Sequence, residues 1–151
     1  MPNKHYDTLN DLTLEVTNTT FLINTFGPFF LTQALMPNIL AADEPRHIAV
    51  MSSRVGSIAD NSSGGAYAYR ASKTAVNSIF KNMAVELKEK QVVVSMLHPG
   101  FTKTGLDPDI WKMEEAVEAD EAASKLWQLL KSKGVDDTGK FWHREGMELP
   151  W

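Results

Sequence analysis

Two short apolar runs frame the middle of the chain. Residues 46 to 52, Arg-His-Ile-Ala-Val-Met-Ser, and residues 92 to 98, Val-Val-Val-Ser-Met-Leu-His, have the length and β-branched content of buried strands. Between them Ala71, Ala75, Ile79, Met83 and Leu87 recur every four residues, which predicts a helix from about Ala66 to Lys90. Strand, long helix, strand makes a parallel βαβ unit with a right-handed crossover, so both strands point their carboxyl ends to one edge. Upstream, from about residue 11 to Leu40, Leu12, Val16, Ile23, Phe26, Phe30, Leu31, Ala34 and Leu35 form a helical stripe. Downstream, a helix is predicted from Asp120 as N-cap to Lys133 with Gly134 at its C-cap, burying Ala123, Leu126, Trp127 and Leu130. Residues 139 to 144 read as an edge strand, followed by an aromatic tail ending at Trp151. No repeat or linker divides the sequence, so residues 1–151 are expected to form a single α/β domain.

Composition narrows the function classes. At 43% hydrophobic and 23% charged, the 151 residues suffice for a sizeable core. A net charge of -4, with no basic run, offers no nucleic-acid surface. The absence of cysteine excludes a disulfide scaffold and thiolate chemistry and fits a cytoplasmic location. The first seven residues lack a signal-peptide core, and no run reaches the ~18 apolar residues of a membrane span. Asn18-Thr-Thr20 and Asn61-Ser-Ser63 match the glycosylation pattern but read as accidental without a secretory signal. His5, His47, His98 and His143 stand singly without metal-ligand spacing, so no metal is expected. Ser78-Ile-Phe-Lys81 fits a penicillin-binding pattern whose partner motifs do not occur.

The candidate chemistry lies in residues 52 to 73. Tyr69 and Lys73 are four apart and share one helix face, which Tyr67 cannot. A phenol titrates near pH ~10, so exchanging protons near neutrality needs a drop of about 3, or ~4 kcal/mol, and a nearby cation acts in that direction. An incidental surface pair is the plainer reading of Tyr-x-x-x-Lys alone. Ser53 adds weight because it sits just past a strand end, where open α/β sheets bind ligands and a hydroxyl can donate to a carbonyl. Asn24 lies in the apolar stripe four residues before Pro28, which has no amide hydrogen, so its carbonyl is expected to stay free at a kink and could hold a water. A kink that packs Gly27 against a neighbour is the alternative.

Ser53 followed by Tyr69-x-x-x-Lys73 resembles the catalytic centre of the short-chain dehydrogenase/reductase family. The run from Ser57 to Lys73 and the ending Leu149-Pro150-Trp151 resemble its C-factor and sniffer-like carbonyl reductase branch. The resemblance implies a Rossmann-type doubly wound parallel sheet and an NADP or NAD cofactor, with NADP ahead. It also implies a catalytic set of Asn24, Ser53, Tyr69 and Lys73, in which Asn24 anchors a relay water and Lys73 also holds ribose hydroxyls. Tyr69 and Lys73 then count as cofactor-binding as well, together with Pro99, Gly100, Thr102 and Thr104 from Pro99-Gly-Phe-Thr-Lys-Thr104, which read without the resemblance is a strand-exit turn. Leu106 to Met113 falls where the family carries a substrate lid, and Leu106, Ile110, Trp111 and Met113 suggest an apolar wall.

One departure is at the front. The nine glycines form no Gly-x-x-x-Gly-x-Gly or Gly-x-Gly-x-x-Gly pattern, the turn on which a dinucleotide pyrophosphate sits. The expectation is therefore a partial Rossmann fold, a C-terminal half lacking the first four strands. Two classes follow: an NAD(P)-dependent oxidoreductase acting on a small carbonyl or secondary alcohol, or a truncated, non-catalytic paralogue or gene-model fragment acting by association. An unpaired edge at residues 46 to 52 makes a homo-oligomer a further expectation.

Overall fold

The computed structural model describes residues 7–151, so His5 lies outside the described residues. The chain runs α1 (Leu14–Phe21), a π-helical segment (Leu22–Phe26), α2 (Gly27–Ala41), β1 (Arg46–Met51), α3 (Tyr67–Leu87), β2 (Val92–His98), β3 (Thr102–Lys103), β4 (Val117–Glu118), α4 (Ala119–Ser132) and β5 (Lys140–His143). β1, β2 and β5 form a parallel sheet in the order β1-β2-β5, with Arg46 opposite Val92 and His98 opposite His143. β3 and β4 pair as a separate two-stranded ribbon. The βαβ unit expected from the apolar runs is present, and the architecture is the partial doubly wound sheet anticipated above.

Both sheet faces carry helices. On one, Ile48, Val50, Val94, Met96 and Phe141 meet Val76, Phe80, Met83 and Leu87 of α3, with Phe29, Met36, Ile39 and Leu40 of α2 packed against them. On the other, Leu97 and Trp142 meet Leu126 and Leu129 of α4. β2, between two strands and two layers, is buried throughout Val92–Leu97. β1 differs from the fully buried strand expected, since Ile48 and Val50 are buried while Ala49 and Met51 face outward. α4 covers β2 and β5 and leaves this side of β1 bare.

The helices depart from the sequence reading in three ways. The kink expected at Asn24 is a π-helical segment, in which the Gly27 amide donates to the Leu22 carbonyl five residues back. Pro28 cannot donate to Asn24, and a one-residue widening accommodates that missing bond. The apolar stripe expected to be buried is instead largely exposed at Ile23 (68%), Phe30 (58%) and Leu31 (62%). On α3 the most buried positions are Ala68, Ser72, Val76, Phe80 and Ala84; of the expected stripe Met83 and Leu87 are buried, whereas Ala75 and Ile79 are half-buried and Ala71 is exposed.

α4 also begins earlier than expected, with Glu118 as N-cap and Asp120 in the first turn, where its charge complements the helix dipole. It ends at Ser132 with Lys133 as its C-cap in place of the expected Gly134, which is not left-handed. Ala122, Leu126 and Leu129 face the sheet, whereas Trp127 is 63% exposed and Ala123 is exposed. The tail closes the outer edge of β5, with Leu149 donating to the Phe141 carbonyl at 2.7 Å and Trp151 stacked on Phe141.

Candidate active site

The site is built where β1 leaves the sheet and α3 enters. Ser52 extends the ladder by donating to the Leu97 carbonyl at 2.7 Å, and Ser53 follows in extended conformation before a tight turn at Arg54–Gly56. Gly56 is required there: a Cβ would fall 2.8 Å from the Lys73 backbone carbon and 2.8 Å from its Cβ. Thr74 donates to the Gly56 carbonyl at 2.7 Å, so the turn after Ser53 is fastened against the helix turn that carries Lys73. The glycine-rich loop is gathered by Arg70, which donates to the carbonyls of Val55, Gly64 and Gly65 and to the Ser63 hydroxyl.

The first turn of α3 is capped from far away. Ala66 stands at the N-cap in a left-handed conformation and has no side-chain acceptor. Asp7, 4% exposed, supplies one carboxylate oxygen to the Ala68 amide at 2.7 Å and the other to the Tyr69 amide at 3.1 Å. The aspartate thus ends two of the orphan donors that every helix start presents.

Four sequence-selected residues converge on this helix. The Ser53 hydroxyl acts on the Tyr69 phenol to lower its pKa. Lys73 Nζ lies 5.8 Å from the Tyr69 ring centroid and donates to the Met51 carbonyl at 3.0 Å. Asn24 reaches the same helix indirectly: its Nδ2 donates to Ser72 Oγ at 3.1 Å, and that hydroxyl donates to the Tyr69 carbonyl at 2.8 Å. Thr25 adds a bond to the Ser72 carbonyl at 2.9 Å, so the π-helical segment and α3 are held by adjacent polar contacts.

The electrostatics differ from the simple cation argument. Burial pushes the Tyr69 phenol above its usual range, and the Ser53 hydroxyl only partly offsets this. Burial also lowers Lys73. Both groups are nearly enclosed by protein, and the lysine spends a hydrogen bond on Met51 rather than on the phenol.

At the neighbouring strand end, Gly100 turns the chain with φ +68°, and Pro99 and Gly100 are half-buried. Thr102 Oγ1 donates within its own turn to the Pro99 carbonyl at 3.2 Å, while Thr104 Oγ1 accepts from the Leu106 amide at 3.2 Å. The hydroxyls of Thr102 and Thr104 thus bond within their own segment, apart from the Ser53, Tyr69 and Lys73 group. The segment expected as a lid contains a 3-10 turn, Pro108–Lys112, with Leu106 and Trp111 exposed and the Trp111 indole donating to the Thr104 carbonyl at 3.0 Å.

His98 and His143, scattered in sequence, meet across β2 and β5 with ring centroids 5.2 Å apart. Among the described residues no group of three or more histidines, cysteines or carboxylates is placed to hold a metal ion. Asp7, Arg70, Ser72 and Arg144 were missed by sequence reasoning. Ser72 left a local signal, a small hydroxyl close to Tyr69 on the helix, whereas Asp7 bonds amides 61 and 62 residues away and Arg144 bonds main-chain carbonyls 29 to 45 residues away.

A short chain dehydrogenase family model matches residues 4–115. The C-signal protein of Myxococcus xanthus is 34% identical over 132 residues, covering 87% of this chain and 76% of that protein. The crystal structure of NADPH-bound carbonyl reductase from chicken fatty liver superimposes with a TM-score of 0.84 at 27% identity, over 97% of this chain and 61% of that one. Carbonyl reductase Sniffer of D. melanogaster gives 0.85 at 28% identity, over 95% and 60%. The chain therefore spans about three-fifths of the length of these solved relatives.

Proposed function

Since the chain belongs to the short chain dehydrogenase family of oxidoreductases, we propose that it contributes the Ser53-Tyr69-Lys73-Asn24 centre of an NAD(P)-dependent reduction of a small carbonyl compound, or the reverse oxidation of a secondary alcohol. The observation that carries this reading is the meeting of Tyr69 and Lys73 at the end of β1, where Ser53 leaves the strand and the Lys73 ammonium lies 5.8 Å from the Tyr69 ring centroid and donates to the Met51 carbonyl.

The residues present fit the nicotinamide end of such a cofactor. Lys73 has three donor hydrogens and, among the described residues, one hydrogen-bond partner, the Met51 carbonyl, so two remain for the hydroxyls of a ribose. When bound, the nicotinamide supplies a hydride to the carbonyl carbon. Ser53 donates a hydrogen bond to the carbonyl oxygen and sets its distance from the phenol. Tyr69 Oη gives its proton to that oxygen as the carbonyl becomes an alcohol. Lys73, with its charge near the ring, stabilises the phenolate left behind. Asn24 presents a carbonyl that Pro28 cannot satisfy, and a water held there returns the proton. Pro99, Gly100, Thr102 and Thr104 form the wall against the nicotinamide. NADP is the preferred nucleotide in this reading, in line with the NADPH named for the chicken carbonyl reductase, and the cytoplasm is the compartment. Among the described residues no helix is long and apolar enough to cross a membrane.

A second reading, association without catalysis, is favoured by a specific surface. Glu15 is the only charged residue from Leu14 to Ala41. Leu22, Ile23, Phe26, Phe30, Leu31 and Leu35 are exposed along that stretch, beside the outer edge of β1. No glycine pattern for a pyrophosphate occurs in the sequence. Pairing of two copies through this face is the form such association takes.

Nucleotide titration separates the two. The catalytic reading expects NADPH to raise the melting temperature and to change its own fluorescence on binding. A melting temperature unmoved by millimolar NADPH and NADH alike refutes it and leaves the association reading.

A further inference from the structure

Arg144 is 8% exposed, and its guanidinium is used almost completely by main-chain acceptors from segments distant in sequence. Nη1 donates to the Pro99 carbonyl and to the Phe101 carbonyl at 2.9 Å, and Nη2 donates to the Glu115 carbonyl at 3.3 Å. Nε pairs with the Glu145 carboxylate at 3.1 Å, which balances the buried charge. The Arg144 amide donates to the His98 carbonyl at 3.0 Å, so the residue is also anchored to the strand end from which the Pro99 turn springs. A lysine could not make this arrangement, because it is a point donor rather than a planar fork.

Gly100 completes the fit. A Cβ on it would lie 2.5 Å from Arg144 Nη1, 2.8 Å from Cζ and 3.1 Å from His143 Nε2. The glycine is needed both for its φ of +68° and because the guanidinium fills the space beside it. The same turn is tied to the far side of the lid segment, since the Val117 amide donates to the Phe101 carbonyl at 3.1 Å.

We propose that Arg144 is a positioning residue that locks the Pro99–Phe101 turn to the far root of the lid at Glu115, so that the wall facing the nicotinamide and the lid over the substrate are held as one unit. The proposal rests on the reading of Pro99 to Thr104 as the cofactor-contacting segment. Arg144 touches neither reactant and acts through the backbone it holds.

Amide hydrogen exchange on the full chain tests it. In Arg144→Met the Thr102, Lys103 and Val117 amides exchange at least tenfold faster, while the β2 amides Val94 to Leu97 keep wild-type rates. Arg144→Lys recovers only part of the protection. Unchanged exchange at 101 to 118, or an equal acceleration in β2, overturns the proposal, the second because it marks general destabilisation. Should Arg144→Met fail to fold, Gly100→Ala attacks the same contact from the opposite side. It is expected to reproduce the local pattern, and wild-type rates in it overturn the proposal. Adding NADPH separates this from the function on which it rests. Wild-type protection of 99 to 104 by NADPH, with a dissociation constant raised about tenfold in Arg144→Met and an unchanged pH profile for Tyr69, supports both. If NADPH protects nothing in wild type while the local exchange pattern holds, the anchoring stands and the cofactor reading fails. If NADPH binds Arg144→Met as tightly as wild type, the positioning role is overturned.

Discussion

Between pH 6.5 and 4 the fold is expected to lose stability, and His98 is the side chain expected to account for most of the loss. It is enclosed at the end of β2, faces His143 at 5.2 Å between ring centroids, and has Arg144 and Arg54 close enough to repel a further positive charge. Burial, followed by His143 and the two arginines, lowers its pKa from 6.5 to about 4. In that window the unfolded chain binds a proton at this position that the folded chain refuses, so stability rises with pH and is lost as pH falls from 6.5 toward 4. At about 1.4 kcal/mol per pH unit the total approaches ~3 kcal/mol, of which ~2 kcal/mol is gone by pH 5. His143 is shifted in the same direction, again with burial as the first cause, and adds to the effect. The lowered carboxylates Asp137 and Glu145 act at the acid end of this window and below it. Urea unfolding followed by circular dichroism at pH 7, 6 and 5 measures the slope in wild type and in His98→Phe, which keeps a ring against His143 and cannot titrate. Wild type is expected to weaken by about 2 kcal/mol from pH 7 to 5 and the variant by less than half of that. Parallel losses in the two proteins refute the assignment.

Other variants probe other links. Asp7→Ala removes the acceptor of the Ala68 and Tyr69 amides and should cost about 1 kcal/mol, with faster exchange of those two amides; a loss no larger than that of the exposed Asp120→Ala argues against a capping role. Phe80→Ala empties the centre of the larger core, where Phe80 is 1% exposed, and is expected to cost about 3–5 kcal/mol in urea unfolding. Ile23→Lys with Phe30→Glu places charge on the exposed face of the long helix pair; sedimentation should show weaker self-association, and an unchanged distribution counts against that face as the contact.

The sequence made the βαβ unit legible because strand and helix periods differ so clearly across residues 46 to 98. Tyr69 and Lys73 were legible for the same reason, since helical spacing alone places them on one face. Local pattern was less reliable for orientation. On α4, Trp127 looked like core and is solvent-facing, because the sheet meets the helix at Ala122, Leu126 and Leu129 instead. On the first helices, a sequence nearly without charge reads as buried all round, yet the described residues cover only the side bearing Phe29, Met36 and Ile39. Long-range polar contacts left no local signal at all. Asp7 caps a helix 61 residues away, and Arg144 holds a turn 43 and 45 residues behind it. Such partners depend on how the strands are ordered, which no single segment encodes. The pairing of His98 with His143 has the same origin, in the parallel register of β2 and β5.

Single-turnover reduction of a simple aldehyde by NADPH, in wild type and in Tyr69→Phe, tests the proposed centre most directly. Tyr69→Phe keeps the buried ring and removes only the hydroxyl proposed as the acid. The account predicts that both proteins bind NADPH with similar affinity, that wild type consumes it, and that the variant is slower by about 10²- to 10⁴-fold, the range expected for loss of a positioned general acid. Turnover in Tyr69→Phe equal to wild type, or a wild type that neither binds nor oxidises NADPH, contradicts it.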